Sequence, residues 1–183
     1  MHQLLLLRHA KSSWDDPSLA DHARPLNARG RRAARLMAEE MARRGLCPDL
    51  VLVSSARRTL QTLEALQPFE ETPIVTVSDE LYLAPWQTIL AVLQRVPDTV
   101  RSVLLIGHNP GLHELALNLI PAEERMRPAA ARLRQGYPTA ALCEFAVIGP
   151  WRTLREGGAR LLHFLAPRDL PGADAVTGAE EGA

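Results

Sequence analysis

The sequence predicts an α/β fold, a single three-layer α/β/α sandwich around a mainly parallel central sheet. Short continuous apolar runs, which are typical of buried strands, occupy residues 4–7, 50–53 and 103–106. Segments with helical periodicity separate these runs, and strands that alternate with helices form parallel sheets covered on both faces. The length of 183 residues suits one ordinary domain.

The first predicted strand is followed by a loop and then by a helix. Residues 11–24 are rich in serine, aspartate and other turn-forming residues, which indicates a loop. Asn27 has a side chain that can cap a helix N-terminus, and Gly45 is placed to end that helix. The sequence therefore predicts a helix from Asn27 to about residue 44.

The other predicted elements alternate in the same way. They are strands at 50–53, 74–77 and 103–106, helices at 56–66 and 88–93, and closing strands at 140–147 and 160–165. Pro110 suits the first turn of a further helix after the fourth strand, because proline lacks an N–H group and the N–H groups of that turn have no partner within the helix. Gly157 and Gly158 predict a hairpin turn between the closing strands.

Composition narrows the class of protein. Lys+Arg and Asp+Glu both number 21, so we expect no nucleic-acid partner held by bulk positive charge. No apolar run is long enough to cross a bilayer, and Cys47 and Cys143 lack metal-type spacing. We expect a cytoplasmic protein without membrane association, folded over residues 1–167, with a disordered tail at 168–183.

Charged side chains follow the predicted strands at the end of the sheet where open α/β folds bind ligands. In chain order they are Arg8, His9, Arg57, Arg58, Glu80 and His108. Arginine offers a fixed fork of donors to phosphate oxygens, and histidine can act as a nucleophile or carry a proton. The free N–H groups of a helix beginning near Asn109 would also favour an anion. The pattern therefore predicts a phosphate site.

Other phosphate and hydrolase chemistries leave no trace in the sequence. Neither cysteine has an arginine at the spacing of a cysteine phosphatase, and no D-x-D motif is present. The G-x-G-x-x-G, G-x-S-x-G and H-E-x-x-H motifs are also missing, and the sole lysine does not follow a glycine as a Walker A loop requires.

Three motifs resemble those of the histidine phosphatase superfamily. Residues 6–10, Leu-Leu-Arg-His-Ala, resemble its Arg-His-Gly signature, and residues 54–62, Ser-Ser-Ala-Arg-Arg-Thr-Leu-Gln-Thr, resemble its second motif. Residues 106–110, Ile-Gly-His-Asn-Pro, match the block that carries the second catalytic histidine. Aligned on these motifs, the family arginine falls on Arg58, and Arg57 becomes a solvated helix residue.

The run from Arg8 to Trp14, with Arg24-Pro25-Leu26 and Gly30, resembles the SixA-type phosphohistidine phosphatase branch. The resemblance covers the chain to about residue 165 and implies a phosphoglycerate-mutase-like fold. The interval from 67 to 86 is short, so no large lid insertion is expected. Two positions depart from the family pattern, because Ala10 replaces a glycine and Ser55 replaces a proline.

The resemblance implies a role for each motif residue. His9 would be the nucleophile, and Arg8, Arg58 and a protonated His108 would hold the phosphoryl oxygens. These cations would occupy the role of a metal, so neither a metal nor another cofactor is expected.

Five further residues have weaker assignments. Glu80 resembles a carboxylate that protonates the leaving group in larger relatives, and an exposed loop acid is the alternative. Ser12 and Asn109 are expected to contact the phosphate. Ser12, Ser13 and Arg24 are candidates for the pocket mouth, with turn-forming and surface roles as alternatives.

The function favoured by the sequence is hydrolysis of phosphohistidine on a protein through a phosphorylated His9. One alternative is a phosphomonoesterase for a small phosphorylated metabolite, and another is a non-catalytic module that binds a phosphate ligand. The expected partner is a phosphorylated protein or small molecule, and the expected state is a monomer or weak dimer.

Overall fold

A computed structural model describes residues 1–174 of the chain and shows one six-stranded sheet with helices on both faces. The strands are β1 (His2–Arg8), β2 (Leu50–Ser54), β3 (Ile74–Ser78), β4 (Ser102–Gly107), β5 (Leu142–Val147) and β6 (Ala159–Leu165). The longer helices are α1 (Ala28–Arg43), α2 (Arg57–Leu66), α3 (Trp86–Gln94), α4 (Gly111–Leu119) and α5 (Pro128–Gln135).

The sheet is mainly parallel, as predicted. Its strand order is β3-β2-β4-β1-β5-β6. Strands β1 to β4 pair in parallel, β5 is antiparallel to β1, and β6 is antiparallel to β5. The carboxyl ends of the first four strands therefore lie together at one end of the sheet, and the carboxyl end of β6 lies there as well.

The apolar runs supply the cores of both faces, because successive strand residues point to opposite sides. Leu4 and Leu6 of β1 pack in a cluster with residues of α3, α4 and α5. Leu5 and Leu7 pack in a second cluster with residues of α1 and α2. The three-layer α/β/α architecture is thus confirmed.

Helix α1 begins and ends as the sequence predicts. The Asn27 side-chain oxygen accepts a 2.7 Å hydrogen bond from the Gly30 amide, and Gly45 after the helix has a φ of 65°. Gly30 also lies directly against the preceding loop, because a Cβ atom there would fall 2.1 Å from the Lys11 carbonyl oxygen. The start of α1 is therefore held close to the segment that follows β1.

Some elements differ from the prediction. Helix α5 was not predicted, because its apolar face is short and rests on little more than Ala130 and Leu133. Pro110 precedes α4 as its N-cap residue and does not lie within its first turn. The connection between β5 and β6 includes a 3-10 turn at Trp151–Thr153, so it is longer than a tight hairpin turn.

The end of the described chain is packed onto the domain. Pro167 begins a 3-10 turn, and Leu170 is buried in the same cluster as Met37 of α1. The predicted disordered tail began at residue 168, but residues 168–174 contain this buried leucine, so packing continues past that boundary. The rest of the predicted tail, residues 175–183, lies outside the described residues. Over residues 1–174, no helix combines the length and the apolar character that a membrane span requires.

Candidate active site

The predicted motif residues meet at the carboxyl ends of β1, β2 and β4. Arg8 ends β1 beside Gly107 of β4, and Val53 of β2 pairs with Ile106 of β4. His9 and His108 follow directly, and their ring centroids lie 5.2 Å apart. The convergence predicted from strand ends is therefore found.

The His9 imidazole is held in one tautomer by its own backbone neighbour. Its Nδ1 atom lies 2.7 Å from the Ala10 carbonyl oxygen, which can only accept, so Nδ1 carries the proton. Burial is the main cause that lowers the His9 pKa to about 4, and the nearby Arg58 and Arg8 guanidinium groups lower it further. The ring is therefore neutral at pH 7, with an unprotonated Nε2.

The His108 ring is anchored on both of its nitrogens. Its Nδ1 lies 3.4 Å from Nη2 of Arg58, which can only donate, so Nε2–H donates to the Ser54 hydroxyl at 2.7 Å. Burial, followed by the neighbouring His9 and Arg58, lowers the His108 pKa to about 3. Burial among cations thus disfavours a further positive charge on His108, and the expectation that a protonated His108 holds the phosphoryl oxygens stays a prediction.

The two arginines of the motifs lie at the same site in different surroundings. Arg58 is buried in the first turn of α2, whereas its neighbour Arg57 is exposed, as the alignment predicted. Arg8 donates from Nη1 to the Tyr137 carbonyl oxygen at 2.8 Å, and its buried Nε has no hydrogen-bond partner. Burial and the charge of Arg58 lower the Arg8 pKa. Two desolvated guanidinium groups this close favour an anion between them.

Two histidines and two arginines meet where adjacent parallel strands end, which is the arrangement that the motifs predicted. The sequence profile of the histidine phosphatase superfamily (branch 1) matches residues 4–144. The chain belongs to the histidine phosphatase superfamily.

Sequence relatives of this histidine phosphatase span nearly the whole chain. An uncharacterised protein of Mycobacterium tuberculosis is 34% identical over 162 residues, which cover 88% of this chain and 100% of that protein. An uncharacterised chloroplastic protein of Arabidopsis thaliana is 34% identical over 176 residues, covering 90% of this chain and 78% of its own.

Solved structures give the same family. A candidate phosphohistidine phosphatase SixA from Agrobacterium tumefaciens is 34% identical with a TM-score of 0.76, over 91% of this chain and 98% of that one. The protein histidine phosphatase SixA complexed with tungstate is 26% identical with a TM-score of 0.74, over the same shares. These likenesses confirm the phosphoglycerate-mutase-like fold without a large insertion.

The histidine phosphatase site contains a carboxylate that sequence reasoning missed. Asp21 accepts from Arg58 at its backbone oxygen, at 2.7 Å, and at Oδ2, at 3.0 Å. Its carboxylate also accepts from the Tyr82 hydroxyl at 2.5 Å and from Arg24 at 2.9 Å. The Tyr82 hydrogen bond, with the Arg58 and Arg24 contacts, lowers the Asp21 pKa to about 2. Asp21 is therefore ionised and fixes three side chains around the histidines.

Tyr82 and His22 complete the rim beside Asp21. The Tyr82 ring meets the His108 ring edge-on, with the two centroids 5.5 Å apart. The His22 ring also packs against the Tyr82 ring, with these centroids 4.8 Å apart. His22 Nε2 also lies 2.9 Å from the Ser55 hydroxyl. Only the spacing of Asp21 and Arg24 within one loop could have pointed to this group of residues.

Ser12, Ser13 and Arg24 contact one another in the segment that follows β1, and their predicted place at the pocket mouth stays a prediction. The buried Arg24 donates to the Ser12 hydroxyl and, at 3.0 Å, to the Ser13 carbonyl oxygen. Its guanidinium carbon lies 3.2 Å from the centroid of the Trp14 ring, which is 76% exposed. A cation and an exposed aromatic ring thus stand together beside the site.

Asn109 supports the site from behind Arg8. Its Nδ2 donates to the Tyr137 carbonyl oxygen at 3.0 Å, the same oxygen that accepts from Arg8. Its Oδ1 is buried and has no hydrogen-bond partner. The predicted contact of Asn109 with phosphate stays a prediction, and its described contact positions the partner of Arg8.

Glu80 lies apart from the histidines. Its carboxylate pairs with Arg95 at 2.5 Å, and both side chains are largely exposed. Among the described residues it forms no hydrogen bond or ion pair with Arg8, His9, Arg58 or His108. Its role as proton donor therefore stays a prediction. Within residues 1–174, no group of three His, Cys, Asp or Glu side chains could hold a metal ion.

Proposed function

We propose that this histidine phosphatase removes the phosphoryl group from phosphohistidine on a protein, through a phosphorylated His9. The tautomer of His9 carries the proposal, because the Ala10 carbonyl holds the proton on Nδ1 and leaves the lone pair of Nε2 available. A ring that only bound phosphate would need a proton on the nitrogen that faces it. The neutral ring among cations instead suits nucleophilic attack on an anionic phosphoryl group.

In the first step, Nε2 of His9 attacks phosphorus as the bond from phosphorus to the leaving nitrogen breaks. Arg8 and Arg58 stabilise the charge on the phosphoryl oxygens as it redistributes. The leaving imidazole departs neutral when its other nitrogen is protonated, so this bond depends little on a strong general acid. A site whose only predicted acid, Glu80, pairs with Arg95 can perform such a step.

In the second step, water attacks phosphorus on His9, the new bond to Nε2 breaks, and inorganic phosphate leaves with the water oxygen. The water releases its proton to phosphate or solvent. Burial lowers the pKa of His108, but a bound phosphoryl dianion would raise that pKa and favour a proton on Nδ1. The protonated His108 would then stabilise the negative charge of the phosphoryl group. No step in this scheme requires a metal ion.

The surroundings of the site favour a protein substrate. Between α2 and α3 the chain forms only β3 and a short 3-10 turn, and β3 is the exposed edge of the sheet. The exposed Trp14 stacked on Arg24 offers an aromatic contact for a partner surface. The likeness to SixA structures at TM-scores of 0.74 to 0.78 supports the same substrate class.

Trapping of a phosphorylated enzyme tests the chemistry. A radiolabelled phosphohistidine protein and a panel of sugar phosphates are offered to the wild-type protein and to the His9→Ala and His163→Ala variants. We expect acid-labile labelling of the wild type and of His163→Ala, and none of His9→Ala. His163 is the matched control because it lies on β6 and its ring pairs with Glu144 of β5.

The same panel separates the alternatives. Faster turnover of a sugar phosphate than of the phosphohistidine protein would favour a metabolite phosphatase. Phosphate binding without turnover of any substrate would favour a non-catalytic module. Retention of near wild-type turnover by His9→Ala would overturn the assignment of the nucleophile.

A further inference from the structure

A cavity of about 450 Å³ lies beside the active site and shares only Arg8 with it. It is bounded by Lys11, by Arg29 of α1, by Pro138, and by Ala166 and Arg168 after β6. The side chains of His9, Arg58 and His108 do not line it. The cavity is therefore a separate space on the β5–β6 side of the nucleophile.

The charge of this cavity is one-sided. Four of its lining residues are cationic, and none of the described lining residues is acidic. Arg29 already has an interaction partner, so the charge available to an occupant comes from Arg8, Lys11 and Arg168. Lys11 is exposed, and in the described part of the chain its ammonium group forms no ion pair. Arg168 has one carboxylate near it, that of Asp169 at 3.9 Å, and Asp169 also pairs with Arg132. The cavity therefore favours an anionic occupant.

Arg8 links this cavity to the predicted phosphate position. One of its nitrogens is held by Tyr137, and its buried Nε has no hydrogen-bond partner. A guanidinium group has five N–H donors in a fixed fork, so one arginine can face two acceptors at once. An anion in the cavity would thus lie next to a phosphoryl group bound by Arg8.

We propose that the cavity binds an acidic side chain that lies beside the phosphohistidine on the protein substrate. This inference rests on the proposed function and specifies its substrate. On a helix, side chains three or four residues apart have Cβ atoms about 5–6 Å apart, a spacing that one guanidinium can bridge. Ala33, Pro138 and Ala166 offer apolar wall to the methylene groups of a glutamate.

Lys11 allows a direct binding test, because it is the only lysine of the chain. Reductive methylation with a carbon-13 label keeps its charge and gives one side-chain methyl signal besides that of the N-terminus. An unphosphorylated helical peptide with a glutamate four residues from histidine should shift this signal in a saturable way. The same peptide with glutamine should not. No shift with the glutamate peptide, or an equal shift with acetate at the same carboxylate concentration, would overturn the proposal.

Kinetics test the same cavity during turnover. The phosphohistidine forms of the two peptides are compared with wild-type protein, with the Lys11→Gln/Arg168→Gln double variant and with Arg155→Gln. Arg155 is an exposed arginine that precedes β6, so it lies at the end of the sheet opposite to the cavity. We expect the wild type and Arg155→Gln to prefer the glutamate peptide through KM, and the double variant to lose about five- to tenfold of that preference.

The outcomes separate this inference from the proposed function. Equal turnover of both peptides by the wild type would overturn the acidic subsite and leave phosphohistidine hydrolysis standing. Turnover of neither peptide, together with turnover of an aryl phosphate, would overturn the proposed function. The Lys11 signal would still decide whether the cavity binds the acidic side chain.

Discussion

The carboxylate of Asp21 holds the guanidinium of Arg58 at 3.0 Å, at the edge of the site that contains both histidines. The Asp21 side chain comes from the loop after β1 and is 42% exposed, whereas the Arg58 side chain is only 4% exposed. The pair therefore joins the loop to the start of α2 and fixes the direction in which Arg58 points.

We expect Asp21→Asn to lower kcat for an aryl phosphate by about tenfold, because Arg58 loses its charged anchor. Inhibition by inorganic phosphate should not weaken, since the pocket loses a negative charge and keeps its cations. Steady-state kinetics with Asp16→Asn as the matched control would test this, because Asp16 lies in the same loop and its carboxylate accepts from Ser18. An unchanged kcat would show that Asp21 does not position Arg58.

Ser54→Ala removes the acceptor of the His108 Nε2–H group. We expect a loss of about 1–3 kcal/mol in the free energy of unfolding, because a buried donor is left without a partner. Turnover should fall as well, and the nitrogen-15 NMR signals of His108 should still report the Nε2–H tautomer, because Arg58 can only donate to Nδ1. Ser55→Ala is the control, since Ser55 contacts His22 and not His108. A free energy of unfolding of Ser54→Ala equal to that of Ser55→Ala would contradict this prediction.

The buried histidines should make the protein less stable in acid. Folding lowers the pKa of His9 from 6.5 to about 4 and that of His108 to about 3. Below pH 6.5 these histidines therefore bind protons in the unfolded chain but not in the folded chain. The free energy of unfolding falls as the pH falls from 6.5 towards the pKa values of the folded chain. The shift of His9 alone corresponds to about 3 kcal/mol.

Urea unfolding at several pH values between about 7 and 4 would measure this effect. His9→Ala should flatten the dependence, because the variant lacks one of the two groups. His2→Ala is the control, since His2 lies at the opposite end of β1. A wild-type free energy of unfolding that does not change from pH 7 to 4 would contradict the prediction.

Gly30→Ala should destabilise the protein by about 2–4 kcal/mol, because its Cβ would fall 2.1 Å from the Lys11 carbonyl oxygen. Both partners are backbone, so neither can move aside by rotating a side chain. Gly149→Ala is the control, since its nearest contact is the Thr153 hydroxyl at 3.2 Å. Thermal unfolding of both variants would show the difference, and equal stability would refute the close approach.

Much of the site could be predicted because its main residues follow apolar strands directly. Arg8, His9 and His108 come within two residues of a strand end, and Arg58 lies in the first turn of the helix after β2. The parallel sheet then brings them to one edge. Local patterns of this kind are visible in the sequence.

What the sequence could not show depends on contacts between distant segments. Asp21 meets Tyr82 across 61 positions, and nothing near either residue marks the pair. The neutral state of His108 follows from burial beside His9 and Arg58, which a motif does not encode. The ion pair of Glu80 with Arg95 likewise depends on how α3 packs after β3.

The carbonyl oxygen of Tyr137 accepts from Arg8, the last residue of β1, and from Asn109, which lies just after β4. Tyr137 itself is clamped, because its hydroxyl donates to the Leu6 carbonyl and accepts from the Cys143 amide. A single peptide group therefore fixes the positions of side chains from the ends of both β1 and β4. A substitution that moved this peptide group would therefore displace Arg8 and Asn109 together, so one change near Tyr137 could alter which substrates the site accepts.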